Sequence, residues 1–366
     1  MTVFPGARLD ALVDEARATN TSALVVMRGG EIVVDEVLDG RGDRPTETMS
    51  VTKAVLSLVV GRAVTLGHLP GADVTVCDFF PEWRQGRKRE VTLRHLMTHT
   101  SGLQNVPVAP AEIYPSPDFV QLALCAELEA EPGAVFAYNN KAVNLICGLL
   151  ERATGQKADD FARAELFGPL GIEETYWIRD RAGNPHGMSG LGLHARDLAR
   201  LGQLALDGGE AGGRVLISRK WIEESTRPAT PTFSRIGLLW WMWHEWLRYD
   251  IRPEHVERVR QAGAMPEQIA SLTELQGTYD RSALWEAMQA RAFSPLDLPS
   301  GVGWMEETLG PRIGFLHDGH LGQYLAVHRE AGIVAVRQIA WDHPEVKSPQ
   351  SGFPSFPDRI LDLASG

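Results

Sequence analysis

The chain of 366 residues has few cysteines, fewer basic than acidic residues and no long apolar run. Cys77, Cys125 and Cys147 are odd in number and set among apolar residues, so we expect reduced core thiols, not a disulfide framework or a metal site. With 36 basic against 47 acidic residues, the net charge of −11 argues against nucleic acid as a partner. The apolar run at 54–60 is too short to cross a bilayer, and we expect no membrane association.

Motifs of several other enzyme classes are also absent. No Gly-x-Ser-x-Gly sequence offers the nucleophile of an α/β-hydrolase, no His-Glu-x-x-His sequence offers a zinc site, and there is no phosphate-binding loop. His95 and His99 lie four residues apart without an evident third ligand, so we interpret them as structural. We therefore expect neither a metal nor a cofactor.

The first residues lack the features of a secretory signal. Residues 1–6 have neither its basic region nor its apolar region. If Met1 is the natural start, we expect a cytoplasmic protein. The oligomeric state has no signature in the sequence.

What the chain does contain is a serine and a lysine one helical turn apart, in Ser50-Val51-Thr52-Lys53 at the start of an apolar run. Residues three apart on a helix are neighbours, so both side chains would lie on one face. A serine hydroxyl needs an adjacent base, and lysine can serve if burial and a helix N-terminus lower its pKa. Taken alone, one such spacing is expected by chance in a chain of this length, and an N-cap serine followed by a solvated lysine explains it.

Two further motifs follow in order along the chain. Tyr138-Asn139-Asn140 stands between a turn signal and an apolar run, and His317-Asp318-Gly319 stands between two predicted strands. In this order the three motifs resemble the serine β-lactamase and penicillin-binding-protein superfamily. The resemblance is strongest to its branch of class C β-lactamases, family VIII esterases, D-aminopeptidases and DD-peptidases. Residues 91–103 and 190–200 match further signatures of that branch, and the resemblance covers roughly residues 8–340.

The resemblance implies a mechanism in which Ser50 attacks a carbonyl and forms an acyl-enzyme. Lys53 would help to take the serine proton, and Tyr138 would complete the proton path. Which of these two is the formal base stays open, because strongly coupled groups need not titrate separately. Asn140 would hydrogen-bond the substrate and help to orient Lys53.

The same resemblance implies an oxyanion hole. The negative oxygen of the intermediate needs two aimed N–H donors. These would be the backbone N–H groups of Ser50 and His320. Gly319, which has no side chain, would let its strand approach the substrate closely.

His317 occupies the position where most β-lactamases have a lysine. Histidine is largely neutral at pH 7 unless a carboxylate raises its pKa, and Asp318 points to the opposite strand face. We therefore expect weak binding of substrates with a carboxylate and predict a carboxylesterase or amidase for small esters or amides. The alternatives are a D-aminopeptidase, DD-carboxypeptidase or weak β-lactamase acting on a short peptide or lactam, an acyltransferase, and a non-catalytic ligand-binding member.

The order of the predicted elements indicates an α+β fold. Strands near both ends bracket a helical middle, as expected for a β-lactamase/transpeptidase-like antiparallel sheet that is built from both termini and flanked by helices. We predict a sheet domain at 1–70 and 231–366, a mostly helical subdomain at 71–230, and a cleft between them that holds the motifs. The main predicted elements are helices at 9–18, 119–128 (N-cap Asp118) and 195–206, and strands at 22–27, 31–36, 236–243, 312–316, 324–328 and 333–339.

Residues 244–308 interrupt the predicted sheet with charged segments that predict three short helices. We interpret them as an insertion that forms a wall or lid of the substrate pocket, with a surface decoration or a dimer contact as the alternatives. The insertion begins beside Trp240, Trp241, Trp243 and Trp246, which could equally belong to the core.

Overall fold

The computed structural model describes residues 6–106, 108–299 and 302–365. Its helices are α1 Gly6–Ala18, α2 Thr52–Thr65, α3 Leu93–Met97, α4 Ala109–Glu112, α5 Phe119–Cys125, α6 Asn140–Thr154, α7 Ala158–Ala162, α8 Ala195–Leu206, α9 Arg219–Ser225, α10 Pro253–Gln261, α11 Pro266–Glu274, α12 Arg281–Ala290 and α13 Phe356–Ala364. Its strands are β1 Ala23–Arg28, β2 Glu31–Val37, β3 Thr46–Glu47, β4 Tyr176–Trp177, β5 Leu191–Leu193, β6 Glu210–Ala211, β7 Arg214–Val215, β8 Trp241–His244, β9 Leu247–Ile251, β10 Gly277–Tyr279, β11 Glu306–Leu309, β12 Arg312–Gly319, β13 Gln323–His328 and β14 Ile333–Gln338. No helix within these ranges is long and apolar enough to span a bilayer.

A six-stranded sheet joins the two ends of the chain. Its strand order is β2-β1-β14-β13-β12-β8, and β1 pairs antiparallel with β14 in the register Ala23↔Gln338. The β1–β2 hairpin turns at Gly29 and Gly30, which both have positive φ, as a tight hairpin turn requires. The α+β fold predicted from the sequence is confirmed.

Helices cover both faces of this sheet. On one face α8 packs so closely that a Cβ on Gly202 would lie only 2.6 Å from the side chain of Val334. On the other face α13 packs through Phe356, whose ring stacks on Tyr324 of β13 at 5.1 Å. The apolar stripe of α8 and the alternating side chains of β13 and β14 thus form the layered core that the sequence pattern predicts.

The helix α2 is surrounded by protein. Every residue from Thr52 to Gly61 is buried. Trp221 packs so tightly on this helix that a Cβ on Gly61 would lie 2.3 Å from the indole. The side chain of Lys53, in the first turn of this helix, is therefore removed from water.

The predicted strand at 236–243 was too long at its beginning. Leu239 has a φ of +63°, and the N–H of Gly237 donates to the Trp240 carbonyl at 2.8 Å. The chain therefore turns tightly at Leu238 and Leu239, and β8 begins only at Trp241. Leu238 and Leu239 are both buried. The turn is favoured because it places both apolar side chains in the core.

Two other predictions were partly wrong. Asp118 caps α5 as predicted, since its side chain accepts from the Gln121 N–H, but the helix ends at Cys125. The side chain of Cys125 is exposed, whereas Cys147 is buried, so the prediction of core thiols is correct for Cys147 and wrong for Cys125.

The chain forms two compact units. One comprises the residues up to Trp243 together with those from Gly314 onward, and the other comprises His244–Ile313. The predicted division of the first unit into a sheet domain and a helical subdomain stays a prediction.

The smaller unit has its own core and its own sheet. Its three helices α10, α11 and α12 correspond to the three predicted from the charged segments, and a sheet in the order β10-β9-β11 packs with them. Apolar side chains such as Ile251, Val259 and Leu272 fill the core. Whether this unit forms part of a substrate pocket stays a prediction.

Candidate active site

Ser50 lies in a 3₁₀ turn, Met49–Val51, that leads directly into α2. Met49 has a φ of +48°, in the left-handed region that is unfavourable for a residue with a side chain. Lys53 follows one turn later, and its Nζ lies 3.0 Å from the Ser50 Oγ. The structure thus places the serine and lysine of the first motif within hydrogen-bonding distance.

Lys53 is completely buried and makes no ion pair at Nζ within the part of the chain that the structure describes. Burial lowers the pKa of its amine from 10.5 to about 7, although the charge of Asp318 acts in the opposite direction. The Nζ also donates to the Met188 carbonyl at 2.8 Å. With one N–H directed at that carbonyl, the lone pair of the neutral amine is free to face the serine hydroxyl.

The Met188 carbonyl is held in place by α6. The Met188 N–H donates to the Oδ1 of buried Asn144 at 3.0 Å. Gly187 approaches the helix so closely that a Cβ there would lie 2.7 Å from the Val143 carbonyl oxygen. These contacts position the acceptor that orients the Lys53 amine.

Tyr138 lies just before α6, where the Asn139 side chain caps the helix by accepting from the Ala142 N–H at 3.0 Å. The Ser50 side chain acts on the Tyr138 phenol and opposes part of the rise in its pKa, and the Lys53 Nζ is 4.9 Å from the tyrosine ring centroid. Part of the ring is exposed, but its hydroxyl is buried, which raises the phenol pKa well above 10. Tyr138 is therefore a neutral phenol with a proton to donate.

Asn140 begins α6 beside this tyrosine. Its Oδ1 is buried and has no hydrogen-bond partner among the described residues. A buried acceptor without a donor is costly, which is compatible with a site that a substrate N–H completes.

His99 supports Tyr138 from behind. Its imidazole lies 4.4 Å from the tyrosine ring, and its Nδ1 accepts from the Asn139 N–H at 3.1 Å. Burial and the charge of Lys53 lower the pKa of His99 well below 6.5, so the ring is neutral. His95 makes a similar bond, since its Nδ1 accepts from the Thr92 N–H. Both histidines therefore make structural hydrogen bonds.

The end of β12 lies against the turn that carries Ser50. A Cβ on Gly319 would lie 3.0 Å from both the Ser50 nitrogen and the Thr48 carbonyl oxygen. His320 follows with an exposed side chain and opens a short turn in which Leu321 has a φ of +68°. The absence of a side chain at Gly319 thus brings this strand beside the Ser50 backbone N–H.

His317 is buried and neutral. Burial and the charge of Lys53 lower its pKa to about 3. Its Nδ1 lies 2.7 Å from the Asp318 carbonyl oxygen, which can only accept, so Nδ1 carries the proton and Nε2 is an acceptor. At this position the protein offers neither a positive charge nor a second N–H.

Aromatic rings border the site. The Trp241 indole stacks with Tyr138 at 6.1 Å and lies 6.1 Å from the His317 ring. Of the tryptophans singled out in the sequence, Trp240 and Trp243 are buried and Trp246 is 46% exposed. Only the tertiary structure distinguishes them.

Strained backbone is concentrated near these residues. Of seven described non-glycine residues with positive φ, four adjoin the site: Met49, His99, Leu239 and Leu321. Each costs on the order of 1–3 kcal/mol, and such strain is typical of functional sites.

Several of these residues were missed in the sequence. Met188 contributes a main-chain carbonyl to the site, which no side-chain motif can reveal. Asn144 contributes only indirectly, by accepting the hydrogen bond that holds Met188 in place. The Phe136 ring lies 6.0 Å from that of His99 and 6.2 Å from that of Trp241. Phe136 could have been found, because it stands two residues before Tyr138 and so shares its face on an extended segment.

Comparison with known proteins identifies the family. A family model described as "Beta-lactamase" matches residues 9–350, and the chain belongs to this family.

Esterase EstB from Burkholderia gladioli is 32% identical over 203 residues, which is 47% of this chain and 51% of that protein. The 6-aminohexanoate-dimer hydrolase from Paenarthrobacter ureafaciens is 25% identical over 252 residues, 60% of this chain and 62% of the relative. The chain thus matches about half to three-fifths of the length of these relatives. A penicillin-binding protein homologue from Caulobacter crescentus shares the fold, with a TM-score of 0.62, 18% identity, and coverage of 100% of this chain and 98% of that one.

Proposed function

We propose that this member of the β-lactamase family is a serine hydrolase that forms an acyl-enzyme on Ser50 and acts on small, uncharged esters or amides, most readily as a carboxylesterase. The observation that carries the proposal is the buried amine of Lys53, whose pKa of about 7 makes it a base near neutral pH, 3.0 Å from the Ser50 Oγ. A hydroxyl nucleophile needs such a partner.

In acylation the neutral Lys53 amine takes the Ser50 proton as Oγ bonds to the substrate carbonyl carbon. Tyr138, whose raised pKa keeps it protonated, donates its proton to the leaving oxygen or nitrogen as that bond breaks. The Lys53 ammonium then returns a proton to the phenolate, so both groups regain their initial state. In deacylation, water replaces the leaving group and the proton path runs back to Ser50.

The negative oxygen of the intermediate accepts from the backbone N–H groups of Ser50 and His320. The closeness of Gly319 to the Ser50 nitrogen supports this assignment. Asn140, with its unpartnered Oδ1, binds an N–H of the substrate where one is present.

Uncharged substrates are favoured by the electrostatics around His317. A substrate carboxylate would meet an acceptor nitrogen in place of a cation, and the Asp318 carboxylate, whose charge already acts on Lys53 and Tyr138, lies next in the chain. Repulsion and missing donors therefore disfavour β-lactams and peptide termini. The relative named an esterase and the one named a 6-aminohexanoate-dimer hydrolase agree with ester or amide substrates.

The test is hydrolysis of p-nitrophenyl butyrate together with intact-mass analysis after incubation with a fluorophosphonate. We expect turnover and a single adduct in the wild type and neither in Ser50→Ala. The matched control is Ser57→Ala, since Ser57 is a buried serine on α2 whose Oγ has no hydrogen-bond partner among the described residues. This control should keep both properties.

Each contrary result points to a different conclusion. An adduct that persists in Ser50→Ala would overturn the assignment of the nucleophile. Release of D-alanine from a D-Ala-D-Ala peptide without ester turnover would favour the peptidase alternative.

A further inference from the structure

Four half-buried aromatic rings form a continuous surface beside the nucleophile. They are Phe136, Tyr138, Phe233 and Trp241, and we refer to them as the aromatic wall. Phe136 stacks on Phe233 at 4.2 Å, and Trp241 contacts Phe136 and Phe233 at 6.2 and 6.3 Å and stacks with Tyr138 at 6.1 Å. The rings come from separate parts of the chain and meet at the catalytic tyrosine.

The burial of these rings differs from that of core aromatics. Trp240 and Trp243, on either side of Trp241, are 0% and 2% exposed, whereas Trp241 and its three partners each keep part of the ring accessible. Large apolar side chains that cluster with exposed faces mark interaction sites more often than isolated exposed residues do. The wall is therefore a surface on which a ligand can gain contact area.

Two neutral imidazole rings adjoin the wall on the side of the nucleophile. The rings of His99 and His317, both neutral, lie 4.4 Å from Tyr138 and 6.1 Å from Trp241. At the far end the Arg235 guanidinium lies 5.4 Å from the Phe233 ring centroid. Parallel and edge-on ring faces of this kind suit a flat aromatic group better than a saturated one of equal size.

Tyr138 links the aromatic wall to the Ser50 nucleophile. Tyr138 belongs to the wall, its phenol interacts with the Ser50 side chain, and the Lys53 Nζ is 4.9 Å from its ring centroid. A ring that stacks on Trp241 would therefore lie beside Tyr138 and so on the side of the wall that faces the nucleophile.

We propose that the aromatic wall binds an aryl group of the substrate next to the scissile bond, so that esters carrying an aryl group are preferred over their saturated analogues. This rests on the proposed function. The aryl group belongs to the acid or to the alcohol of the ester, and the substrates below distinguish the two.

The experiment compares two pairs of esters by pH-stat. Methyl phenylacetate against methyl cyclohexylacetate tests the acid side, and benzyl acetate against cyclohexylmethyl acetate tests the alcohol side. We expect the wild type to show about a tenfold preference in kcat/KM for the aryl member of one pair. Trp241→Leu and, separately, Phe233→Leu should reduce this ratio to about twofold or less. Trp341→Leu, at a tryptophan that is 65% exposed, is the matched control and should keep it.

A second measurement separates this proposal from the proposed function. Calorimetric titration of Ser50→Ala with benzyl acetate and cyclohexylmethyl acetate, and with the other pair, reports binding without turnover. Tighter binding of an aryl ester that is lost in the double variant Ser50→Ala, Trp241→Leu supports the wall even if the wild type hydrolyses nothing. Equal kcat/KM and equal affinity within both pairs, or a preference that survives in both wall variants, would overturn it. Hydrolysis of methyl acetate that depends on Ser50 would still support the hydrolase.

Discussion

Replacing Lys53 with methionine should abolish hydrolysis and at the same time stabilise the fold at neutral pH. The pKa of the amine is 10.5 in an exposed peptide and about 7 in the buried site, so the unfolded chain binds the proton more tightly. Each unit of pKa corresponds to about 1.4 kcal/mol, and the wild-type fold therefore carries a cost of about 4 kcal/mol at pH 7.

The sign of the pH dependence follows from the lowered pKa. The cost is fully present below about pH 7, declines by up to about 1.4 kcal/mol per pH unit above it, and disappears beyond about pH 10.5. Lys53→Met removes this cost at all pH values but leaves the Met188 carbonyl without its donor, a loss of about 1–3 kcal/mol. We expect the variant to be about 2 kcal/mol more stable at pH 7 and less stable than the wild type near pH 10.5.

The assay is urea unfolding of both proteins at pH 7, 8.5 and 10, with the difference in unfolding free energy as the readout. Lys141→Met is the control, because Lys141 is also buried on a helix but forms an ion pair with Glu112 at 2.5 Å. That substitution leaves a carboxylate without its partner and should destabilise the fold at pH 7. A difference between wild type and Lys53→Met that stays constant with pH would refute the claim that burial neutralises this amine.

Three further predictions concern activity and stability. For an uncharged ester, kcat/KM should rise with pH to a plateau as Lys53 loses its proton, with the midpoint of the rise near pH 7. At pH 6 it should reach roughly a tenth of the plateau value. A flat profile from pH 5 to 9 would contradict this prediction. Gly319→Ala puts a Cβ 3.0 Å from the Ser50 nitrogen and the Thr48 oxygen, so labelling of Ser50 by a fluorophosphonate should slow about tenfold or more. An unchanged labelling rate would show that the strand can move away. Arg337→Met removes five hydrogen bonds that a fully buried guanidinium donates to oxygens of the chain, and it should lower the free energy of unfolding by about 3 kcal/mol or more. Calorimetry can measure this loss, and an unchanged melting temperature would contradict the prediction.

Local patterns in the sequence determined much of the architecture. The apolar period of 195–206 predicts α8 with the bounds that the structure has, and the apolar, β-branched runs on either side of Gly29 and Gly30 predict the hairpin of β1 and β2. The separation of three residues places Ser50 and Lys53 on one helical face. These features depend on neighbours within a turn or a strand, so a short window of sequence contains their cause.

The properties on which the proposed reactivity rests depend on contacts between distant residues. The pKa of Lys53 depends on the burial of α2, to which Trp221 contributes, and its orientation depends on the Met188 carbonyl, 135 residues away. The start of β8 at Trp241 was decided by the turn at Leu239, whose left-handed backbone no periodicity predicts. Desolvation and packing are sums over the surrounding chain, and only the tertiary structure specifies which groups surround each side chain.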